Sequence, residues 1–161
     1  MSAPMPPAAR LLFVLAAMSF VAWTIVAVVH VAPWLARWPR RQALLVVLTP
    51  QMFRHVGALA LFPGIGATPP EWSVPLAWGD AATSIMAMLA MIALYRESRA
   101  AIPLAWAVTI FGTLDLLHNG FNAAHLGVAS SLGPIVYVVV IAVPGMLTAH
   151  LLAFRLLLRP S

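Results

Sequence analysis

Arg54 and His55 stand in the middle of an apolar stretch, between Ala43-Leu-Leu-Val-Val-Leu48 and Val56-Gly-Ala-Leu-Ala-Leu-Phe62. Two further apolar stretches are interrupted in the same way, one by Asp80, Thr83 and Ser84, the other by Asp115, His118, Asn119 and Asn122. A guanidinium, two carboxylates and two imidazoles are the groups used for ion pairing, proton exchange and the binding of small charged ligands. With Gln51 ahead of Arg54 and His55, each set follows i, i+3, i+4, and Asn122 adds i+7 to the last. Each set therefore lines one face of one helix. His125 would carry the last face into the following loop. Ionised together, Arg54, Asp80 and Asp115 sum to −1. A buried net charge is unfavourable, so a proton, a protonated His55 or His118, or a bound cation should balance it.

The elements that must position these residues are legible from composition. Only 8% of the 161 residues are charged and 63% are hydrophobic; about a quarter of a soluble domain is charged. Mean hydropathy is +0.97. Apolar runs cover about 11–30, 43–63, 75–95, 101–122 and 132–156, each near the roughly 20 residues a spanning helix needs. The expectation is an all-α integral membrane bundle of five transmembrane helices, a single transmembrane domain over 1–161 whose partner is the lipid bilayer. Pro33, Pro39, Pro63-Gly64, Pro69-Pro70, Pro103 and Gly133-Pro134 punctuate the runs, and Pro50 and Pro144-Gly145 predict kinks inside two of them. The first run is too long for a signal core and no small-x-small site follows it, so it reads as a spanning helix.

The arginines orient the bundle. With five spans, Arg37, Arg40, Arg41, Arg96, Arg99, Arg155 and Arg159 fall on one side and Arg10 on the other. The positive-inside rule then puts the N-terminus outside and the C-terminus in the cytoplasm. Trp34, Trp38, Trp72 and Trp78 near the span ends suit an interfacial belt. The charge of +5 follows from loop arginines and is no nucleic-acid footprint. All nine basic residues being Arg, in an Ala-, Val-, Leu- and Pro-rich chain, suggests a GC-rich bacterial genome and a bacterial inner membrane. The absence of cysteine excludes disulfides, thiolate metal sites and cysteine nucleophiles.

Counting residues at 1.5 Å each puts Asp80 roughly 8 Å inside the outer end of its helix, with Asp115 and an outward-reaching Arg54 near that level. The stripes thus converge in the outer half of the membrane. The first reading is a pocket lined by Gln51, Arg54, His55, Asp80, Asp115, His118, Asn119 and Asn122 that binds or passes a small ligand, proton or cation. Arg54 would hold an anionic group or set the field, and transport through five spans would call for a homodimer. The alternative is a membrane enzyme in which Asp115 and His118 perform acid–base chemistry on an isoprenoid or sterol. His55, His118 and His125 with an Asp are candidate metal or haem ligands, although the sequence requires no cofactor. His30 and His150 read as interfacial residues near helix ends. The structural alternative is that these polar groups hydrogen-bond between helices and hold the bundle together.

Thr68-Pro-Pro-Glu-Trp-Ser-Val-Pro-Leu-Ala-Trp78 locally resembles the Pro-Pro-x-Trp…Trp motif of the tryptophan-rich sensory protein/translocator protein family. Those are five-helix membrane proteins of this size that bind porphyrins and sterols. The likeness spans eleven residues, and the motif precedes the third helix here but the second there, so that family's ligand residues do not transfer. Phe53-Arg54-His55-x-Gly57, Pro63-Gly64, Trp78-Gly79-Asp80 and Gly112-Thr-Leu-Asp-Leu-Leu117 resemble small bacterial multi-pass inner-membrane proteins without an assigned activity. That resemblance implies a membrane bundle and no mechanism.

Overall fold

A computed structural model describes residues 6–62 and 64–159. Pro63 and most of the Pro/Ala-rich start of the chain lie outside the described residues. The described chain is all-helical, with five helices long and apolar enough to cross a membrane: α1 (Pro7–Leu35), α2 (Arg40–Leu61), α3 (Pro70–Tyr95), α4 (Ala101–His125) and α5 (Gly133–Leu157). They run up and down through short connections. One end of the bundle carries the α1–α2 and α3–α4 loops and the end of α5; the other carries the α2–α3 and α4–α5 loops. All seven loop arginines named above fall at the first end.

Helices α2 to α5 form a four-helix bundle, with α3 between α2 and α4 and α5 closing the ring. Helix α1 packs on the outside of α5, and only 6% of its apolar window is buried. Trp23 anchors it: the indole N–H donates to the Ile141 carbonyl at 3.0 Å, and the ring lies against Gly145, where a side chain would collide with it.

The prolines change helix geometry locally, and Pro33, expected to mark the end of the first run, lies inside a helix that continues to Leu35. In α1 and α5 a wide π turn, Ala27–Val31 or Val138–Ala142, comes just before Pro33 or Pro144. Proline has no N–H to give the carbonyl four residues back, and the turn widens to accommodate its ring. In α2 the effect is larger. Pro50 cannot donate to Val46; Thr49 N–H takes that carbonyl instead, and the Thr49 hydroxyl donates to Leu45 at 2.8 Å. From Thr49 to Leu61 the chain is a 3₁₀ helix of 13 residues, where runs beyond three or four are uncommon. In α3 the Pro69-Pro70 pair is an N-terminus, with Pro69 extended and Pro70 preset for the first turn, so the helix starts at Pro70 and continues through Pro75. It therefore begins five residues before the expected boundary.

The α3–α4 connection is a Schellman turn. Glu97 N–H donates to Leu94 at 3.2 Å and Ser98 N–H to Ala93 at 2.9 Å, with Glu97 itself left-handed at φ 54°. Arg40 donates to the Leu157 carbonyl at 3.0 Å and to Arg159 at 3.3 Å, satisfying carbonyls that the end of α5 leaves free.

The buried apolar residues form two clusters. The larger, at the arginine-rich end, interleaves seven alanines, Ala43, Ala87, Ala90, Ala93, Ala101, Ala105 and Ala153, with eight leucines and valines that include Leu35, Leu44, Leu48 and Leu94. The smaller, at the opposite end, joins Ala60, Trp72, Leu76, Val128, Leu132 and Ile135. Between them lies a polar layer.

Candidate functional site

The layer is centred on Arg54, which is 1% exposed. A 3₁₀ helix has three residues per turn, so Gln51, Arg54, Gly57 and Ala60 stand in one line. That line faces the bundle: Gln51, Arg54 and Ala60 are buried, and Gly57 lies against Asp80. His55 follows the helical stripe expected from the sequence only if the helix is α. In the observed geometry i+4 is a third of a turn away, and His55 is exposed. Its Nδ1 lies 3.1 Å from Ser84 Oγ, and the Ser84 hydroxyl donates to the Met52 carbonyl.

Arg54 joins three helices. Its Nε donates to Asp80 Oδ1 at 2.7 Å, Nη1 to the Gly112 carbonyl at 2.9 Å, and Nη2 to Asp115 Oδ2 at 2.5 Å. Nη2 also lies 2.5 Å from Asp80 Oδ1. Asp80 is ten residues from the start of α3 and Asp115 ten from the end of α4, so both carboxylates sit about 15 Å below the same end of the bundle. Asn119 donates through Nδ2 to Asp115 Oδ1 and to the Asp115 carbonyl, both at 2.9 Å.

Glycines make this approach possible. A Cβ on Gly57 would collide with Asp80 Oδ2, and one on Gly79 with Asp115 Oδ1. On Gly112 a Cβ would lie 2.7 Å from His150 Cε1 and Nε2 and 3.0 Å from Arg54 Nη1. At each position only glycine leaves room for a charged side chain against the backbone.

The remaining candidates are placed differently from the sequence expectation. Gln51 is buried but donates to the Met146 carbonyl of α5 at 3.2 Å, not to the charged trio. The buried face of α4 runs through Ala105, Val108, Gly112, Leu116 and Asn119, with Asp115 at its edge. At 100° per residue His118 is turned about 60° further outward. It is exposed, with Asn122 Nδ2 2.9 Å from its Nε2. Asp115 and His118 thus do not share a pocket. His125 is exposed and stacks on Phe121 at 6.3 Å. His55, His118 and His125 are not gathered together, and no metal-binding group of three His, Cys, Asp or Glu occurs among the described residues.

His150 corrects the sequence reading most sharply. It is not interfacial: it is fully buried, it lies over Gly112 beside Arg54 Nη1, and neither ring nitrogen has a hydrogen-bond partner among the described residues. α5 has no polar stripe to reveal this. The available signal was a lone imidazole seven residues, or about 10 Å, inside the end of an apolar helix. Trp72 also departs from the belt expectation. It is 3% exposed and donates to the Asn119 carbonyl at 3.1 Å.

A cavity of about 250 Å³ lies between the polar layer and the α2–α3 end. Its walls are apolar, including Trp72, Leu76, Val138 and Val139, and α5 supplies much of them. Arg54, Asp80 and Asn119 are its polar lining. Phe53 and Val56 line it and are also exposed on the outer surface of the bundle, so the cavity opens sideways. The α2–α3 and α4–α5 loops lie together at this end, tied by Ala67 N–H to the Ser131 carbonyl at 2.9 Å.

No curated protein and no solved structure matches the chain. A family model does: residues 11–158 match the domain of unknown function DUF8737, which covers most of the chain and both sides of the Arg54–Asp80–Asp115 layer, and the protein belongs to that family.

Proposed function

We propose that this is an inner-membrane protein that binds a small amphiphilic molecule in the side-opening cavity, with the molecule's polar end at Asp80 and Asn119. The five helices stand across a bacterial membrane with the N-terminus outside, in keeping with seven loop arginines at one end. The cavity then lies in the outer half, where a molecule dissolved in the bilayer reaches it from the side.

One observation carries this reading: an apolar cavity ends on a buried ionic network. Packing alone would close such a space, because small residues let helices meet, as they do at the other end. An apolar cavity of about 150 Å³ accommodates benzene, and this one is larger. Binding fits the geometry better than conduction of a proton or cation. The walls are apolar, and beyond the layer the buried Thr83 and Thr109 hydroxyls are tied to the carbonyls of Gly79 and Ala105 in their own helices.

The test uses propylbenzene as an uncharged probe on the purified protein. Binding raises the unfolding midpoint in a concentration-dependent way. Val139→Trp, which fills the cavity, abolishes the shift, and Ala142→Phe does the same. Absence of any shift on the unaltered protein refutes the reading.

A further inference from the structure

We infer that the molecule held in this cavity carries a positively charged hydrogen-bond donor, an amine or a related cation, and that Asp80 Oδ2 is its anchor. The inference rests on the cavity-binding reading above and adds the chemistry of the polar end.

Most donors facing the cavity are already engaged. Each nitrogen of Arg54 donates, to Asp80, to the Gly112 carbonyl and to Asp115. Trp72 Nε1 donates to Asn119, and Asn119 Nδ2 donates to Asp115. The acceptors are not all engaged. Both oxygens of Asp115 have partners, Oδ2 with Arg54 and Oδ1 with Asn119. Asp80 is held through Oδ1 alone. Its Oδ2 lies against Gly57, which lines the cavity and has no side chain to cover it. Asn119 Oδ1 is buried and has no partner among the described residues. On the donor side only the second N–H of Arg54 Nη1 is left over, next to the Gly112 carbonyl and His150; on the acceptor side Asp80 Oδ2 is charged and unpaired.

Charge points the same way. Arg54 is shared by two carboxylates, so it is not available to hold an anion as the sequence suggested. With all three groups ionised the layer carries −1, which a cation at Asp80 neutralises in a region of low dielectric. A hydrogen bond assisted by charge on both partners is about twice as strong as a neutral one.

The experiment compares four probes of similar size on the full chain in detergent, by calorimetry and by thermal shift: 2-phenylethylamine, 2-phenylethanol, 3-phenylpropanoate and propylbenzene. The amine should bind roughly tenfold more tightly than the alcohol, as one charge-assisted hydrogen bond provides, and the carboxylate should bind weakest. Asp80→Asn should bring the affinity for the amine down to that for the alcohol. Should that variant fail to fold, the rank order on the unaltered protein decides alone. A carboxylate that binds as tightly as the amine, or an alcohol that equals it, overturns the inference while leaving cavity binding intact. If none of the four binds, the cavity-binding reading fails and this one with it.

Discussion

The two ends of this bundle are built from different residues, and the difference separates holding helices together from holding them apart. At the arginine-rich end seven buried alanines bring α2, α3, α4 and α5 into close contact. Small side chains let backbones approach, which is how helices associate where the surroundings are themselves apolar. At the other end Ala60 is the one alanine of a cluster otherwise made of Trp72, Leu76, Val128, Leu132 and Ile135, α2 changes to a 3₁₀ helix and α5 contains a π turn. There the helices enclose a cavity. The charged layer lies at the junction. Three helices contribute there at a position where glycine, not alanine, sets the distance: Gly57 in α2, Gly79 in α3 and Gly112 in α4.

The largest expected effect comes from breaking the junction. Arg54→Ala leaves two buried carboxylates facing each other and should cost about 3–5 kcal/mol, seen as loss of folded protein in detergent unfolding. The triple variant Arg54→Met, Asp80→Asn, Asp115→Asn should recover most of that, because removing a whole buried ionic set is far less harmful than removing one member. Recovery would show that the layer is retained for something other than stability. Gly79→Ala should cost about 1–3 kcal/mol, because its Cβ must displace the Asp115 carboxylate; thermal unfolding measures it.

The contrast between the ends is sharpened by adding the same bulk to each. Ala90→Leu enlarges a fully buried residue of the alanine cluster and should cost about 1–3 kcal/mol. Val139→Leu enters the cavity and should change stability by no more than about 0.5 kcal/mol. Equal costs would mean that the cavity end is packed as tightly as the other. The one change expected to stabilise belongs to a loop. Glu97→Gly relieves a left-handed residue in the Schellman turn and, after glycine's greater freedom when unfolded is subtracted, should stabilise the chain by about 0.5–1 kcal/mol in the same unfolding assay.

Much of the helical frame was legible because apolar runs and proline breaks are local signals. The convergence of Arg54, Asp80 and Asp115 was legible too, since each interrupts its run at a similar depth. What escaped depended on geometry that a hydropathy pattern does not carry. His55 shares a stripe with Arg54 only in an α-helix, and Pro50 places both in a 3₁₀ helix. His118 and Asn122 follow the helical repeat, but the buried face of α4 is centred on Gly112 and Asn119. That centre is fixed by the neighbouring helices and not by the polar residues. α5 looked inert because it meets the layer through one backbone carbonyl, at Met146, and one histidine. The cavity is a property of four helices together, and no single segment announces it.

The asymmetry between the ends can be read directly by chemical access, because the chain contains no cysteine of its own. Ala142→Cys places a thiol in the cavity and Ala105→Cys places one in the alanine cluster. With a small methanethiosulfonate reagent on the folded protein in detergent, the first should label and the second should not, while both label after denaturation. Equal protection of both, or equal labelling of both, would contradict a tightly packed alanine cluster and an accessible cavity on opposite sides of the charged layer.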